Sequence, residues 1–196
     1  MKNKKGILFV LLAAGFLGLS MVVPKGWQIS GSAPQKYDIG LWKAGGHDGS
    51  SNCGFIRANK DDYFESDYGS LIQKMSSQKY LGKRVRMKGF LRTRGVKSWA
   101  GFFIRADEEN SKEPLSFETM EKTPVKGNTE WKEYQLEMDV PNNASKIAFG
   151  AILNGPGIIY FDDISIEEIG ASTKFSKFVV CDTTLRREEE NLNFEN

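Results

Sequence analysis

Short runs of alternating residues, separated by turn-forming residues, extend from Gly26 to about Gly170 and constrain the fold more than any other feature of the chain. The clearest run is KRVRMKGFLRTR, residues 83–94, in which apolar or small side chains alternate with mostly basic ones. Because successive side chains of a β-strand point to opposite faces, this period of two predicts a strand with one buried face. Helical periodicity is almost absent, so the sequence predicts an all-β sandwich or barrel.

Further strands are predicted on both sides of this run. Turn signals such as PNNAS and NGPG separate the later strands, and a turn at residues 95–97 is expected to end KRVRMKGFLRTR. A long connection rich in Gly and Ser, residues 34–52, is expected after the first strand. The predicted strands or strand fragments are GWQISGS, CGFIRA, YGSLIQKM, KRVRMKGFLRTR, SWAGFFIRAD, LSFETM, WKEYQLEMDV, KIAFGAIL and GIIYFDDISIEEI.

The N-terminal residues have the features of an export signal. Lys2, Lys4 and Lys5 precede an uncharged hydrophobic run, residues 6–23. This order is typical of a secretory signal peptide. The run is also nearly long enough to span a bilayer, so an N-terminal membrane anchor is the alternative. Both alternatives predict an extracytoplasmic protein, either secreted or held on the outer side of the cytoplasmic membrane.

Length and composition favour one domain with appendages. We predict a signal peptide or anchor over residues 1–23, a β domain over residues 24–170, and a C-terminal extension over residues 171–196. The extension ends in LRREEENLNFEN, whose charged and amide residues predict a disordered tail. Cys53 and Cys181 have no metal-ligand spacing, and they form either one disulfide in an oxidising compartment or two separate thiols.

Charge argues against a nucleic-acid partner. The chain has 27 Lys and Arg against 25 Asp and Glu, a formal net charge of +2. Without the three N-terminal lysines, 24 basic and 25 acidic residues remain, and the net charge is −1. Since phosphate contacts supply much of the affinity of proteins for nucleic acids, so balanced a chain has no electrostatic reason to bind them.

Several motifs resemble those of the galactose-binding-like jelly-roll domains of bacteria. They are GKRVRMKGFLRT, WAGFFIRAD, WKEYQLEMDVPNNASKIAFG and DDISIE. The resemblance covers about residues 26–170 and implies a jelly-roll β-sandwich of two antiparallel sheets. These domains look like carbohydrate-binding modules and occur beside regulators, peptidases and esterase-like domains. The resemblance therefore implies an exported, non-catalytic module that binds carbohydrate or cell-envelope glycan.

Two other functions stay open, because a fold does not determine a function. One is a protein-interaction or structural accessory domain without a sugar site. The other is a glycan-cleaving enzyme, although no catalytic residue is predicted. The sequence does not predict the oligomeric state.

Trp99, Phe103, Arg105 and Asp107 are the candidate ligand-binding residues. They share one face of the predicted strand SWAGFFIRAD, opposite its small and apolar residues. A flat ring beside charges that form hydrogen bonds is how proteins hold the face of a sugar. The alternative is that these rings only cover the outer side of a sheet. The other tryptophans, Trp27, Trp42 and Trp131, are predicted to pack against strand ends or loops.

The strand over residues 83–94 also carries a row of cations. The row consists of Arg84, Arg86, Lys88, Arg92 and Arg94. It could bind an acidic polysaccharide, phosphate or an anionic surface. The alternative, which we favour, is a solvated strand face paired with acidic neighbours, because rows of surface cations are common and contribute little energy.

The chain lacks an obvious catalytic constellation. Asp162 and Asp163 are adjacent in a predicted strand, so they point to opposite faces and cannot flank one glycosidic bond. The stretch EMDVPN, residues 137–142, is similar to the E-x-D-x-x-E signature of jelly-roll glucanases. Asn142 stands where the second glutamate should be, so the second carboxyl is missing. The single histidine, His47, has no triad partner in phase and is expected to be exposed.

Asp162 is a candidate metal ligand. It shares the phase of Ile164 and Ile166, so without a bulge it points inward, where an unpaired carboxylate is costly. In the sandwiches that this chain resembles, an aspartate of the last strand often binds a structural calcium ion. The resemblance implies Asp162 here, with backbone carbonyls near residues 27–32. The alternative is that backbone N–H groups or an arginine bind Asp162 and no ion is present. No other cofactor is predicted.

Overall fold

The computed structural model describes residues 22–172 and 189–195. Within these residues there are β-strands and short 3-10 turns, and no α-helix. The strands are β1 (Trp27–Gly31), β2 (Tyr37–Trp42), β3 (Cys53–Ala58), β4 (Tyr68–Ser76), β5 (Lys83–Asp107), β6 (Pro114–Thr119), β7 (Val125–Asp139), β8 (Lys146–Asn154) and β9 (Ile158–Ala171). The 3-10 turns are Pro34–Lys36, His47–Gly49, Gln78–Tyr80 and Met120–Lys122.

One long strand, β5, joins two sheets. Its 25 residues pair mainly with β7 and β9 in the first half, and with β8 and β6 in the second half. The hydrogen-bonded strands form one continuous nine-stranded sheet that β5 divides into two halves: sheet I, in the order β1-β4-β8-β5-β6, and sheet II, in the order β7-β5-β9-β3-β2. All of these pairs are antiparallel. The predicted all-β class is confirmed, and the two sheets enclose one main hydrophobic core.

Alternation along β5 places its apolar side chains between the sheets. Val85 and Leu91 in the first half are fully buried, and so is Phe102 in the second half. Ring contacts cross the core: Phe102 of sheet I lies 6.5 Å from Phe161 of sheet II, and Trp27 of β1 lies 6.0 Å from the same ring. Burying each such ring contributes about 2–3 kcal/mol, so this layer holds the two sheets together.

The predicted connection over residues 34–52 contains a strand, so that prediction is wrong for its middle part. β2 pairs with β3 along its whole length, from Tyr37 opposite Ala58 to Trp42 opposite Cys53. Its alternate residues Tyr37, Ile39 and Leu41 are buried in the main core. The Gly and Ser residues of the region obscured this alternation in the sequence.

The predicted turn at residues 95–97 is also wrong, because β5 runs through it without reversing direction. The register of the β5–β7 pair shifts between Thr93 and Val96 and again between Val96 and Ala100. Gly95 has a φ of 61° at this point, a conformation that glycine adopts without steric cost. The shifts are the point at which β5 passes from one sheet to the other.

Residues 189–195 pack into the sandwich, in contrast to the predicted disordered tail. Phe194 is fully buried, and its ring lies 4.9 Å from Trp27 and 5.3 Å from Phe161. Backbone and side-chain hydrogen bonds fix the same segment, including Trp27 Nε1 to the carbonyl oxygen of Asn191 at 3.2 Å. This short C-terminal segment therefore completes the core.

Several predictions about the chain ends lie outside the described residues. They include nearly all of the N-terminal signal or anchor, residues 1–21, and Cys181 with its possible disulfide. Cys53 is fully buried, and burial raises the pKa of its thiol to about 12. Within the part of the chain that the structure describes, no helix has the length and hydrophobicity needed to cross a membrane.

Candidate ligand-binding groove

The outer face of sheet I contains an open groove. Side chains from β4, β8, β5 and β6 line it, because these strands are consecutive neighbours in the sheet. Its two parts have volumes of about 240 Å³ and about 390 Å³, and both parts contact Tyr68, Phe117 and Ile152. The two parts of the groove therefore adjoin each other on this face, and together they have the size of a small-ligand or oligomer site.

Aromatic and aliphatic side chains form the floor of the groove. Ile72, Phe103 and Ile152 form a buried cluster against which Tyr68 and Trp99 pack. Such clusters usually support a surface, and only their outermost rings remain available to a ligand. Trp99 is half-buried and lies at one end of the groove, which leaves part of its indole exposed.

Phe117 provides a second exposed ring. Its centroid lies 6.5 Å from that of Phe103, and 47% of its surface is exposed. It is one of four large hydrophobic side chains exposed among the described residues, and it is the one that lines the groove. An exposed ring beside a polar groove is a common feature of ligand sites.

One end of the groove, which we name the cationic end, is lined by Lys74, Arg105, Asp107 and Lys146. Arg105 donates to Asp107 Oδ1 from Nε at 2.8 Å, and its Nη2 lies 2.6 Å from the same oxygen. Asp107 is 3% exposed, so its carboxylate interacts with Arg105 and is hardly accessible to solvent. Among the described residues, neither Lys74 nor Lys146 has an ion pair.

The opposite end, which we name the tryptophan end, combines Trp99 with polar and acidic groups. Glu65 and Glu121 line this part of the groove together with Ser98 and Asn154. Asn154 Nδ2 donates to the carbonyl oxygens of Glu65 at 2.9 Å and Asp67 at 3.1 Å, while Ser98 donates to Asn154 Oδ1. These bonds fix the loop before β4 beside the indole.

All four candidate ligand-binding residues lie on the outer face of β5 and line the groove. Trp99 lies at the tryptophan end, and Phe103, Arg105 and Asp107 lie toward the cationic end. Phe103 is only 6% exposed, so it supports the floor rather than offering a free ring. Tyr68 and Phe117 could not be found from the alternation within single strands, since β4 and β6 reach the groove only through the order of strands in sheet I.

The outer face of sheet II is covered by ion pairs. Arg84 Nη1 lies 3.2 Å from Asp139 Oδ1, and Arg86 Nη2 lies 2.8 Å from Glu137 Oε1. Further along the row, Arg94 Nη2 lies 2.8 Å from Glu130 Oε1. The favoured interpretation of the cationic row, a strand face paired with acidic neighbours, is thus observed for these arginines.

Arg92 is the exception in this row. Its guanidinium carbon lies 5.0 Å from the ring centroid of Trp131 and 4.6 Å from that of Tyr160. Its Nε is buried and has no hydrogen-bond partner in the part of the chain that the structure describes. Trp42 and Phe55 belong to the same aromatic cluster, so this part of sheet II is filled by its own side chains.

Asp162 does not have the inward orientation expected without a bulge, because a bulge is present at this point of the strand. The register of the β5–β9 pair shifts between Lys88 and Phe90, so Asp162 is opposite Phe90 while the buried Phe161 is opposite Leu91. Residues paired across two strands share a face, which places Asp162 on the outer face of sheet II. Asp163 has a φ of 49°, the left-handed region that aspartate tolerates at a bulge.

A loop buries Asp162 on that outer face. Asp162 Oδ2 accepts from the His47 backbone N–H at 2.9 Å and from Ser50 Oγ at 2.6 Å, and Oδ1 accepts from the Asp163 N–H at 2.9 Å. Burial raises the pKa of Asp162, and these hydrogen bonds oppose the rise. Gly46 is needed in this loop, since a Cβ there would lie 2.3 Å from Asp162 Oδ2.

His47 secures the same loop and is half-buried rather than exposed. Its ring stacks on Phe90 with centroids 3.5 Å apart, and its Nδ1 lies 2.8 Å from Asp163 Oδ2. Within the described residues there is no group of three or more His, Cys, Asp or Glu side chains that could hold a metal ion. His47 and both aspartates therefore fasten a loop to sheet II.

Solved structures with this fold include carbohydrate-binding modules. A xylan-binding domain from Paenibacillus barcinonensis has a TM-score of 0.51 and 10% identity, over 77% of this chain and 90% of that one. A family 16 carbohydrate-binding module has a TM-score of 0.53 and 11% identity, over 74% and 92%. The enzymatically active domain of bacteriophage CBA120 tailspike protein 4 has a TM-score of 0.53 and 12% identity, over 74% and 20%.

These likenesses define the class of protein as a jelly-roll β-sandwich of the kind found in carbohydrate-binding modules, and they concern the fold alone. A more similar sequence is an uncharacterized HTH-type transcriptional regulator, YbfP, of Bacillus subtilis (strain 168), which is 32% identical over 171 residues. That match covers 87% of this chain and 57% of the regulator, so the chain spans little more than half of its relative. No protein-family model matches the sequence.

Proposed function

We propose that this protein is a non-catalytic carbohydrate-binding module whose ligand lies in the groove of sheet I. The observation that carries the proposal is the combination, in one open groove, of partly exposed rings with polar groups. Trp99 and Phe117 offer flat apolar surfaces, and the polar side chains of Lys74, Glu65 and Glu121 line the groove around them. Sugars are bound in this way, because a ring packs on the apolar face of the pyranose while polar groups fix its hydroxyls.

Neither Asp107 nor the glucanase-like pair Glu137 and Asp139 is placed for hydrolysis in the groove, where Glu65 and Glu121 are the other carboxylates among the lining residues. Glycosidases need two carboxyl groups on either side of one bond, roughly 5–9 Å apart. In the groove, Asp107 is buried against Arg105. Glu137 and Asp139, which are similar to part of a glucanase signature, lie on sheet II, and hydrogen bonds from Arg86 and Arg84 lower the pKa of Glu137. A low pKa opposes the role of general acid.

Glycan-array binding with matched tryptophan variants tests this proposal. We expect Trp99→Ala to weaken binding to any glycan hit by at least about tenfold, which corresponds to ~1.4 kcal/mol. Trp131→Ala, on the outer face of sheet II, is the control and should leave the affinity unchanged. An array without hits, or equal losses in both variants, would contradict the proposal.

We further propose that the module acts outside the cytoplasm. The support is the basic and hydrophobic sequence of residues 1–23, which is typical of an export signal or anchor. Protease accessibility of the full chain in intact cells and protoplasts tests the location. Protection in protoplasts would count against export.

A protein-interaction role in a regulatory assembly is the second candidate. It is favoured by the likeness to a relative named as a transcriptional regulator, of which this chain matches 57%. In that case the exposed Phe117 and the groove would hold a polypeptide segment rather than a sugar. A glycan array without hits would favour this candidate over the first.

A further inference from the structure

The cationic end of the groove differs from the other row of cations in having two lysines without an ion pair. On sheet II, Arg84, Arg86 and Arg94 each have a carboxylate partner within 3.3 Å. In the groove, Lys74 and Lys146 have none among the described residues. Among the described residues, no carboxylate therefore lies within ion-pair distance of either lysine.

Strand register places these cations around one small side chain. Ala148 of β8 is paired with Lys74 of β4 on one side and with Arg105 of β5 on the other. Because neighbouring strands lie ~4.8 Å apart, the two cationic residues flank Ala148 with their backbones roughly 10 Å from each other. Lys146 lies on the same face of β8, two residues from Ala148, at about 7 Å along the strand. Ala148 is 3% exposed and lines the floor of the groove between these longer side chains.

The charges of the cationic end sum to a positive value. Asp107 is paired with Lys146 across the strands, but it lies in direct contact with Arg105. One carboxylate therefore faces three cations. The tryptophan end has the opposite sign, since Glu65 and Glu121 line it. The groove thus has a charge gradient along its length, and this gradient gives a charged ligand one favoured direction.

We propose that the groove binds an acidic glycan, with a carboxylate or phosphate group of the sugar held over Ala148 by Lys74 and Lys146. This inference rests on the proposed carbohydrate-binding function. The ammonium groups of lysines are mobile point charges that bind either a carboxylate or a phosphate group. Arg105 is held by Asp107, so it contributes positive potential and forms one wall of the site. The neutral part of the glycan extends toward Trp99, away from the cationic end and beside Glu65 and Glu121.

The test uses an array of acidic and neutral glycans, followed by titration calorimetry. We expect acidic glycans to dominate the hits. Polygalacturonate is the carboxylate probe, and its methyl ester keeps the backbone but removes the charge. Phosphomannan and its dephosphorylated form are the corresponding phosphate probes. Each acidic form that binds should bind at least about tenfold more tightly than its neutral counterpart at low ionic strength, and added salt should reduce this preference.

The double variant Lys74→Gln with Lys146→Gln should lose the preference for acidic forms while it keeps binding to neutral ones. Lys88→Gln, whose lysine lies 3.7 Å from Glu167 on sheet II, is the matched control and should keep the preference. Hits that are all neutral, or a preference unchanged in the double variant, would overturn the inference but not the carbohydrate-binding function. An array without any hit would overturn the function as well.

Discussion

Both outer faces of the sandwich contain part of strand β5, but their side chains are covered in different ways. On sheet II, salt bridges cover Arg84 and Arg86, and aromatic rings enclose Arg92. On sheet I, Lys74 has no ion pair among the described residues, and Phe117 is half exposed beside an open groove. The difference lies in what covers each side chain rather than in the residue types.

This comparison shows why a row of cations is a poor guide to a binding site. Ion pairs on a surface contribute little energy, but they leave no unbalanced charge for a ligand. Five cations on sheet II are conspicuous in the sequence, whereas the two lysines of the groove are far apart in it and come from different strands. The candidate site on sheet I is marked instead by two lysines that have no ion pair among the described residues and by the exposed ring of Phe117.

The largest expected effect is the loss of stability in Phe55→Ala, which we compare with Phe117→Ala on the other face. Phe55 on the outer face of sheet II is 1% exposed and packs against Trp42 and Tyr160, so Phe55→Ala should lower the free energy of unfolding by about 3–4 kcal/mol. Phe117→Ala removes a ring that is 47% exposed, so it should cost less than about 1 kcal/mol. Urea denaturation of both variants measures this difference.

Ligand binding should reverse the order of these two variants. Phe117→Ala is expected to weaken glycan binding severalfold, because the ring lines both parts of the groove. Phe55→Ala should leave the affinity of the folded fraction unchanged. If Phe117→Ala destabilised the fold as much as Phe55→Ala and left binding intact, the assignment of the two faces would be wrong.

The alternation of residues within one strand could be predicted from the sequence, and it identified the groove residues that β5 contributes. The buried phase of Val85 and Leu91 and the outward phase of Trp99 and Arg105 follow from a period of two in a half-buried strand. The rest of the groove depends on which strands are neighbours. Phe117 reaches the groove because β6 pairs with β5, opposite Arg105, and no local pattern in the sequence specifies that pairing.

Two features depend on local exceptions to the alternation. Asp162 changes face because Asp163 adopts a positive φ, and a bulge of one residue is not visible in a pattern of period two. Phe194 is the other case, since it is a single aromatic residue in a charged and amide-rich segment. Its burial depends on the space between Trp27 and Phe161, which only the folded sandwich creates.

A smaller effect is expected from Asp162→Asn on the outer face of sheet II. The amide keeps one oxygen acceptor, but its NH₂ group faces a donor, either the His47 N–H or the Asp163 N–H. We expect a loss of about 2 kcal/mol at neutral pH, the cost of leaving a buried donor unpaired. Glycan affinity should not change, because this residue lies on the face opposite the groove.

The pH dependence of Asp162→Asn sharpens the test. Burial raises the pKa of Asp162 in the folded state, so the folded protein binds a proton more readily than the unfolded chain does. The stability contribution of Asp162 therefore falls as pH rises from its unfolded pKa, ~3.9, through the higher folded pKa. The wild-type protein should gain stability relative to the variant as pH is lowered toward 4. A gap that narrows on acidification would mean that the hydrogen bonds lower this pKa instead.

The smallest expected effect is that of calcium on the melting temperature. It also concerns the carboxylate of Asp162. Calcium requires six to eight oxygen ligands. The two Asp162 oxygens already accept hydrogen bonds from Ser50, His47 and Asp163, which supports the metal-free alternative. We therefore expect the same melting temperature in excess EDTA and in millimolar calcium. Because a ligand that binds only the folded state stabilises it, a rise with calcium that Asp162→Asn abolishes would instead identify a metal site on sheet II.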